Sequence, residues 1–81
     1  MTAKKKKEIR KKLGAFLKKR REENMQISVR QLSFSSNLDH SKLVKIEKGL
    51  IDFRFDTLIE LAITYKVQPK DLLNFDIELS D

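Results

Sequence analysis

The chain has 81 residues, 18 of them Lys or Arg, with a net charge of +6 and no cysteine. This length suits one small domain without disulfide crosslinks and excludes a multidomain enzyme. Two glycines and one proline are too few for a turn-rich β-sandwich or barrel. No apolar run approaches the roughly 18 residues of a membrane span, and no signal-peptide core follows the first lysines. We therefore expect a soluble, cytoplasmic, all-α domain with no membrane partner.

Positive charge is concentrated near the start of the chain. Residues 1–30 hold twelve of the 18 Lys and Arg residues and only three acidic residues. This distribution is typical of proteins that bind a polyanion, and also of a solvated tail that only keeps the protein soluble. Residues 1–7 are interpreted as a mobile basic arm, which carries Lys4, Lys5, Lys6 and Lys7.

The first helix is predicted by apolar residues spaced along one helix face, namely Ile9, Leu13, Phe16 and Leu17. We expect this helix to run to about residue 23, with a turn at residues 24–26. Gly14 lies inside the helix, where it costs about 1 kcal/mol relative to Ala. It indicates either close packing at that point or a tolerated glycine.

The second helix is predicted by a start signal. Ser28 and Gln31 fit a capping box, so we expect a helix from about Val29 to residue 34 or 35. Asn37 then favours a break, because Asn tolerates the left-handed conformation that ends a helix.

The third helix is predicted between Asp39, a favourable N-cap, and Gly49, which ends it after Lys48. Two short helices separated by a tight turn, the second with polar and basic side chains, predict a helix-turn-helix.

Two more helices complete the predicted domain, which spans residues 8–75. The fourth is indicated by Leu58, Leu61, Ala62 and Tyr65 at helical spacing, and Pro69 opens the fifth. Residues 76–81 form an acidic tail, interpreted as a frayed end, a short strand or a segment that binds a partner.

Motif positions follow one another in order between Leu13 and Leu73. The most specific part reads Ser28-x-x-x-Leu32-Ser33-x-x-x-Asn37-Leu38-x-x-Ser41-x-Leu43-x-x-Ile46-Glu47-x-Gly49. The series closes with Thr57-Leu58, Leu61-Ala62 and Val67-x-Pro69-x-x-Leu72-Leu73. It resembles the Cro/repressor-type (XRE-like) helix-turn-helix family of bacteria and phages. The resemblance implies a compact five-helix, lambda-repressor-like domain whose second and third helices form the helix-turn-helix.

Two departures from the family pattern bear on the predicted site. Asn37 replaces the family's turn glycine, which its conformational tolerance allows. Val29 replaces a glutamine that often contacts phosphate, so that contact is not carried over.

The resemblance implies that the third helix reads base edges in the major groove of double-stranded DNA. The base-reading positions then fall on His40, Ser41, Lys42, Val44 and Lys45. A lysine there donates to guanine, and a valine contacts the thymine methyl group. The alternative is an ordinary solvated helix face, which composition alone favours.

Phosphate contacts position such a protein without specifying sequence. The candidates are the start of helix two at Ser28, then Arg30, Lys48 and Arg54, together with the arm of Lys4 to Lys7. Two interpretations of the arm remain open: it wraps the duplex, or it only adds long-range attraction.

The family commonly pairs a glutamate at the position of Glu47 with an arginine of helix one. Here the resemblance implies Arg21 as the partner, with Arg20 as the second choice. Such a pair would join helix one to helix three and set the angle at which helix three meets DNA.

The residue inventory argues against an enzyme and against a metal site or cofactor. Gly14 and Gly49 are the only glycines, so no phosphate-binding glycine loop exists. His40 is the single histidine and there is no cysteine, so ligands for a metal ion are missing.

These features predict a sequence-specific DNA-binding transcriptional regulator, a repressor, that acts as a homodimer on two half-sites. The expected dimer surface is helix five and the tail, which carry Leu73, Phe75, Ile77 and Leu79. Three alternatives remain open. The first is an antitoxin or the DNA-binding subunit of a toxin–antitoxin pair. The second is a restriction–modification controller or mobile-element regulator, and the third is a nonspecific nucleic-acid binder.

Overall fold

The computed structural model describes residues 1–78, so the predicted dimer residue Leu79 lies outside the described part of the chain. Its helices are α1 (Ala3–Lys19), α2 (Val29–Ser33), α3 (His40–Glu47), α4 (Phe55–Tyr65) and α5 (Pro69–Leu72). A π-helical turn, Arg20–Met25, continues α1. The described residues contain no strand, which confirms the expected compact, all-α domain of five helices. None of these helices is long and apolar enough to cross a membrane.

Every helix contributes to a single core. Leu17 of α1, Leu32 of α2, Leu43 of α3, Leu61 of α4 and Leu72 of α5 are all completely buried. Burying one such side chain is worth about 1.5–3 kcal/mol, so each short helix is held mainly by its packing rather than by its own propensity.

The start of α1 differs from the prediction of a mobile arm over residues 1–7, because Lys4, Lys5, Lys6 and Lys7 are all helical. Thr2 caps the helix, since its hydroxyl oxygen accepts the Lys5 N–H at 3.2 Å. Lysine is a good helix former, and the lysine run therefore extends the helix instead of preceding it. The arm prediction was wrong because a run of charge alone does not distinguish a tail from the solvated end of a helix.

The end of the first helical segment is also later than predicted. The expected turn at residues 24–26 is replaced by π-helical winding through Met25. The chain then reverses at Gln26, whose φ is 56° and whose N–H donates to the Arg21 carbonyl at 2.8 Å.

The connection between α2 and α3, residues 34–39, does not use a left-handed Asn37. The left-handed positions of the described residues are Gln26, Lys66 and Gly49. Instead, the Ser36 hydroxyl accepts the Leu38 N–H at 3.0 Å and hydrogen-bonds the Thr64 hydroxyl at 2.8 Å. This turn is thus held against α4 by long-range contacts, which the local pattern of residues did not indicate.

Both glycines lie where α1 crosses the end of α3. A Cβ atom added at Gly14 would lie 2.6 Å from the Ile46 carbonyl oxygen and would also meet that of Glu47. Gly49 ends α3 as predicted, with φ 70°, and a Cβ there would lie 2.7 Å from the Cα of Lys11. Gly14 therefore marks close packing, the first of its two predicted interpretations.

The fifth helix is shorter than the predicted apolar segment. It ends at Leu72, so Leu73 and Phe75 lie beyond it. Pro69 occupies its first turn, and the Asp71 carboxylate accepts the Gln68 N–H at 3.2 Å. Residues 76–78 have no regular secondary structure, and 79–81 lie outside the described residues.

Candidate nucleic-acid interface

The exposed face of α3 is polar and basic. Ser41, Lys45 and Lys48 are exposed and Val44 is half-buried, at spacings that place all four on one side of the helix. The opposite side buries Leu43, Ile46 and Glu47. Ser41, Val44 and Lys45 therefore lie together on the outer surface, as the base-reading prediction requires.

The other two predicted base-reading residues lie on the flanks of this face. His40 begins α3 and is half-buried, and so is Lys42. Asp39 caps the helix as predicted, because its carboxylate accepts the Lys42 N–H at 2.7 Å. The predicted set therefore divides into three outward residues and two flanking ones.

A shallow groove extends the α3 face onto two other helices. It is lined by Lys18 of α1, Val29 of α2, Val44 of α3 and Lys48, the residue that follows α3. Lys18 is one of the lysines opposite the apolar face of the first helix, for which the sequence leaves open either a role in solubility or a phosphate contact. The structure places it beside α3, because it lies four residues after Gly14 and three before Arg21, both of which contact α3 or its end.

The predicted phosphate contacts are surface residues, with one restriction. Arg30, Lys48 and Arg54 are exposed. Ser28 is engaged in its own capping box: its N–H donates to the Gln31 side chain at 2.9 Å, and its hydroxyl oxygen accepts the Gln31 N–H at 3.1 Å. The hydroxyl hydrogen is therefore the only donor that Ser28 retains for a phosphate.

The lysines at the start of α1 face two directions. Lys11 meets Gly49 at the end of α3, and Lys7 and Lys4 lie one and two turns before it on the same face. Lys5 instead borders a depression shared with Ile77 and Glu78 of the C-terminal segment. Because these lysines are helical, they project from a rigid element and do not form an extended arm.

Behind the α3 face lies a buried ion pair that matches the predicted partners. The Arg21 Nε and Nη2 atoms each donate to the Glu47 carboxylate at 2.9 Å, and both side chains are less than one-tenth exposed. The hydrogen bond to Glu47 raises the pKa of Arg21. Arg20, the second choice, instead donates to the Tyr65 and Lys66 carbonyls at the end of α4.

Tyr65 is a third member of this network, and no local sequence pattern indicates it. Its hydroxyl donates to Glu47 at 2.7 Å across 18 positions of sequence. Burial, followed by the hydrogen bond to Glu47, raises the pKa of Tyr65 well above its ordinary value. The Glu47 carboxylate therefore accepts hydrogen bonds from both α4 and the π-helical turn, which fixes the orientation of α3 relative to both.

The predicted dimer residues differ in their surroundings. Leu73 is 51% exposed and Ile77 is 39% exposed. Phe75 is half-buried, with the Lys12 ammonium 5.8 Å from its ring centroid. Leu79 lies outside the described residues.

Within residues 1–78, no cluster of three His, Asp or Glu side chains is arranged to hold a metal ion. Comparisons with protein-family models, with curated proteins and with solved structures find no match for this chain.

Proposed function

We propose that the protein is a sequence-specific double-stranded DNA-binding transcriptional regulator, a repressor that acts as a homodimer. In this proposal α2 and α3 form a helix-turn-helix of the Cro/repressor type, and α3 enters the major groove. The protein is not an enzyme and uses no cofactor. It acts in the cytoplasm.

The observation that carries the proposal is the outer face of α3 together with its rigid support. A recognition helix needs polar and cationic side chains outward, which Ser41, Lys45 and Lys48 supply. Val44 adds an apolar side chain of the kind that contacts a thymine methyl group. It also needs a fixed angle to the rest of the domain, and the hydrogen bonds to Glu47 restrain that angle. Lys18 and Lys48 border the same surface with positive charge, which suits phosphates on either side of the groove.

The decisive experiment separates base reading from general attraction to DNA. Preferred duplexes are first selected with the wild-type protein from a library of random sequence. Fluorescence anisotropy then compares the selected duplex with a scrambled one at several salt concentrations, because affinity depends steeply on salt. We expect Lys45→Ala to lose about 1–3 kcal/mol of discrimination between the two duplexes.

Lys70→Ala is the matched control, because Lys70 is an exposed lysine on α5 and its substitution removes the same charge. It should keep the wild-type discrimination. The proposal is contradicted if the wild-type protein selects no sequence, or if Lys45→Ala and Lys70→Ala discriminate equally well.

A further inference from the structure

A second concave surface lies on the side of α1 that carries Lys12 and Lys19. It is a groove between α1 and the chain from α5 onward, and Phe16 and Phe75 supply apolar surface in it. Phe16 packs against the core, and the exposed Leu73 follows α5 close to the groove.

The two walls of this groove carry opposite charges. The α1 wall presents Lys12 and Lys19, and the opposite wall presents Asp71 and Asp76. Among the described residues, no ion pair joins either lysine to either aspartate. Asp71 accepts the Gln68 N–H and Lys12 lies over the Phe75 ring, but within residues 1–78 neither charge is neutralised by an opposite charge across the groove. A partner with the complementary arrangement can therefore pair with both walls.

We propose that this groove is the contact surface of the homodimer, and that its occupant is a second copy of the chain. A twofold axis sets the same patch of each copy against the other, so the patch must complement itself. A surface with a basic wall, an apolar floor and an acidic wall meets that requirement when the twofold axis runs along the groove, because this rotation brings the basic wall of one copy to the acidic wall of the other.

The competing apolar surface on α4 lacks this property. Phe55 and Ile63 are 71% and 65% exposed there. The charged residues of α4 are Asp56 and Glu60, both acidic. Pairing this face with itself would bring like charges together, which opposes association.

This inference rests on the homodimer of the proposed function. Its test uses the full chain without DNA, so a failure here would leave the assignment of α3 as the DNA-reading helix standing. Sedimentation velocity measures the dimer dissociation constant for two variants, one for each wall. The first combines Lys12→Glu with Lys19→Glu, and the second combines Asp71→Asn, which keeps an oxygen for the α5 cap, with Asp76→Lys. We expect each variant alone to raise the dissociation constant about tenfold or more. In the first variant both walls are acidic, and in the second both walls carry positive charge, so two identical copies repel each other.

Mixing the two variants gives the sharper result. In the mixed dimer the altered α1 walls are acidic and the altered opposite walls are basic, so the two copies attract each other. We expect the equimolar mixture to recover a mixed dimer with an affinity close to that of the wild type.

The matched control combines Lys45→Glu with Lys48→Glu on the α3 face, which makes the same change in net charge. It should dimerise as the wild type does. A monomeric wild-type protein, wall variants that remain dimeric, or loss of the dimer in Ile63→Glu alone would each overturn the proposal. The last result would transfer the interface to α4.

Discussion

Glu47 accepts three hydrogen bonds in the interior, two from Arg21 and one from Tyr65. Burying a carboxylate is costly unless it is paired and hydrogen-bonded, and here both conditions are met. The loss of one partner would leave an uncompensated charge. The network is therefore a sensitive point for stability as well as for the orientation of α3.

We expect Glu47→Gln to lower the free energy of unfolding by about 3–5 kcal/mol, since it leaves the Arg21 guanidinium buried without a counter-charge. Urea denaturation followed by circular dichroism measures the loss. Glu22→Gln is the matched control, because Glu22 approaches the same guanidinium at 4.0 Å but is half exposed. That control should cost less than about 1 kcal/mol, and equal losses for the two variants would contradict the assignment.

Tyr65 predicts a specific dependence on pH. Its raised pKa means that the folded state favours the neutral phenol. The stabilisation of the folded state by the neutral phenol is fully present below the ordinary tyrosine pKa of about 10 and is lost as the pH rises above it. The difference in unfolding free energy between the wild type and Tyr65→Phe should therefore be constant up to about pH 10 and shrink above it.

Absorbance provides an independent measurement of the same group. Tyr65 is the only tyrosine and the chain has no tryptophan, so the tyrosinate signal reports this side chain alone. The signal should rise with unfolding rather than at about pH 10, where an exposed tyrosine ionises. Ionisation at the ordinary pH in the folded protein would refute the buried hydrogen bond.

At the scale of the elements, α1 can approach the end of α3 because Gly14 has no side chain. Gly14→Ala normally stabilises a helix by about 1 kcal/mol. Here the new methyl group would overlap the Ile46 carbonyl, so we expect a loss of about 1–3 kcal/mol instead. Ala15→Gly, at the neighbouring exposed position, is the control that measures helix propensity alone, and it should cost about 1 kcal/mol. Urea denaturation measures the free energy of unfolding of both variants. A Gly14→Ala variant that is more stable than the wild type would show that the close approach is absent.

The elements also show which features a sequence pattern contains. The capping box of Ser28, the Asp39 cap and the Gly49 stop are local, so the residue types alone predicted them. The Ser36–Thr64 and Tyr65–Glu47 hydrogen bonds join positions far apart in the chain, and no periodicity indicates them. The prediction of a mobile arm at the lysine run failed for a different reason, because composition alone does not indicate whether a solvated segment is helical.

The same distinction applies to the candidate site. Arg21 and Glu47 were predicted because the family resemblance supplied their long-range pairing, and the observed contact agrees with it. For Lys18 the sequence left solubility and phosphate contact open, because its place beside α3 follows from the packing of Gly14 and Arg21 on that helix.

Across the whole molecule, the basic residues of α1 serve two surfaces. Lys4, Lys7, Lys11 and Lys18 lie on the side that meets α3, whereas Lys12 and Lys19 border the groove beside α5. Net charge alone would treat all of these lysines as equivalent. The fold instead divides them between the DNA face and the dimer groove that we propose.

This division predicts how the salt dependence of DNA binding changes. A lysine that contacts phosphate releases about one counterion, so Lys18→Ala should reduce the slope of log affinity against log salt by about one. The loss should be the same for the selected and the scrambled duplex, because phosphate contacts carry no base information. Lys70→Ala, on α5, should leave the slope unchanged. Anisotropy titrations across a range of salt concentrations measure both slopes. Equal changes of slope in the two variants would show that Lys18 adds only to the overall charge. DNA would then not lie against the groove between α1 and α3.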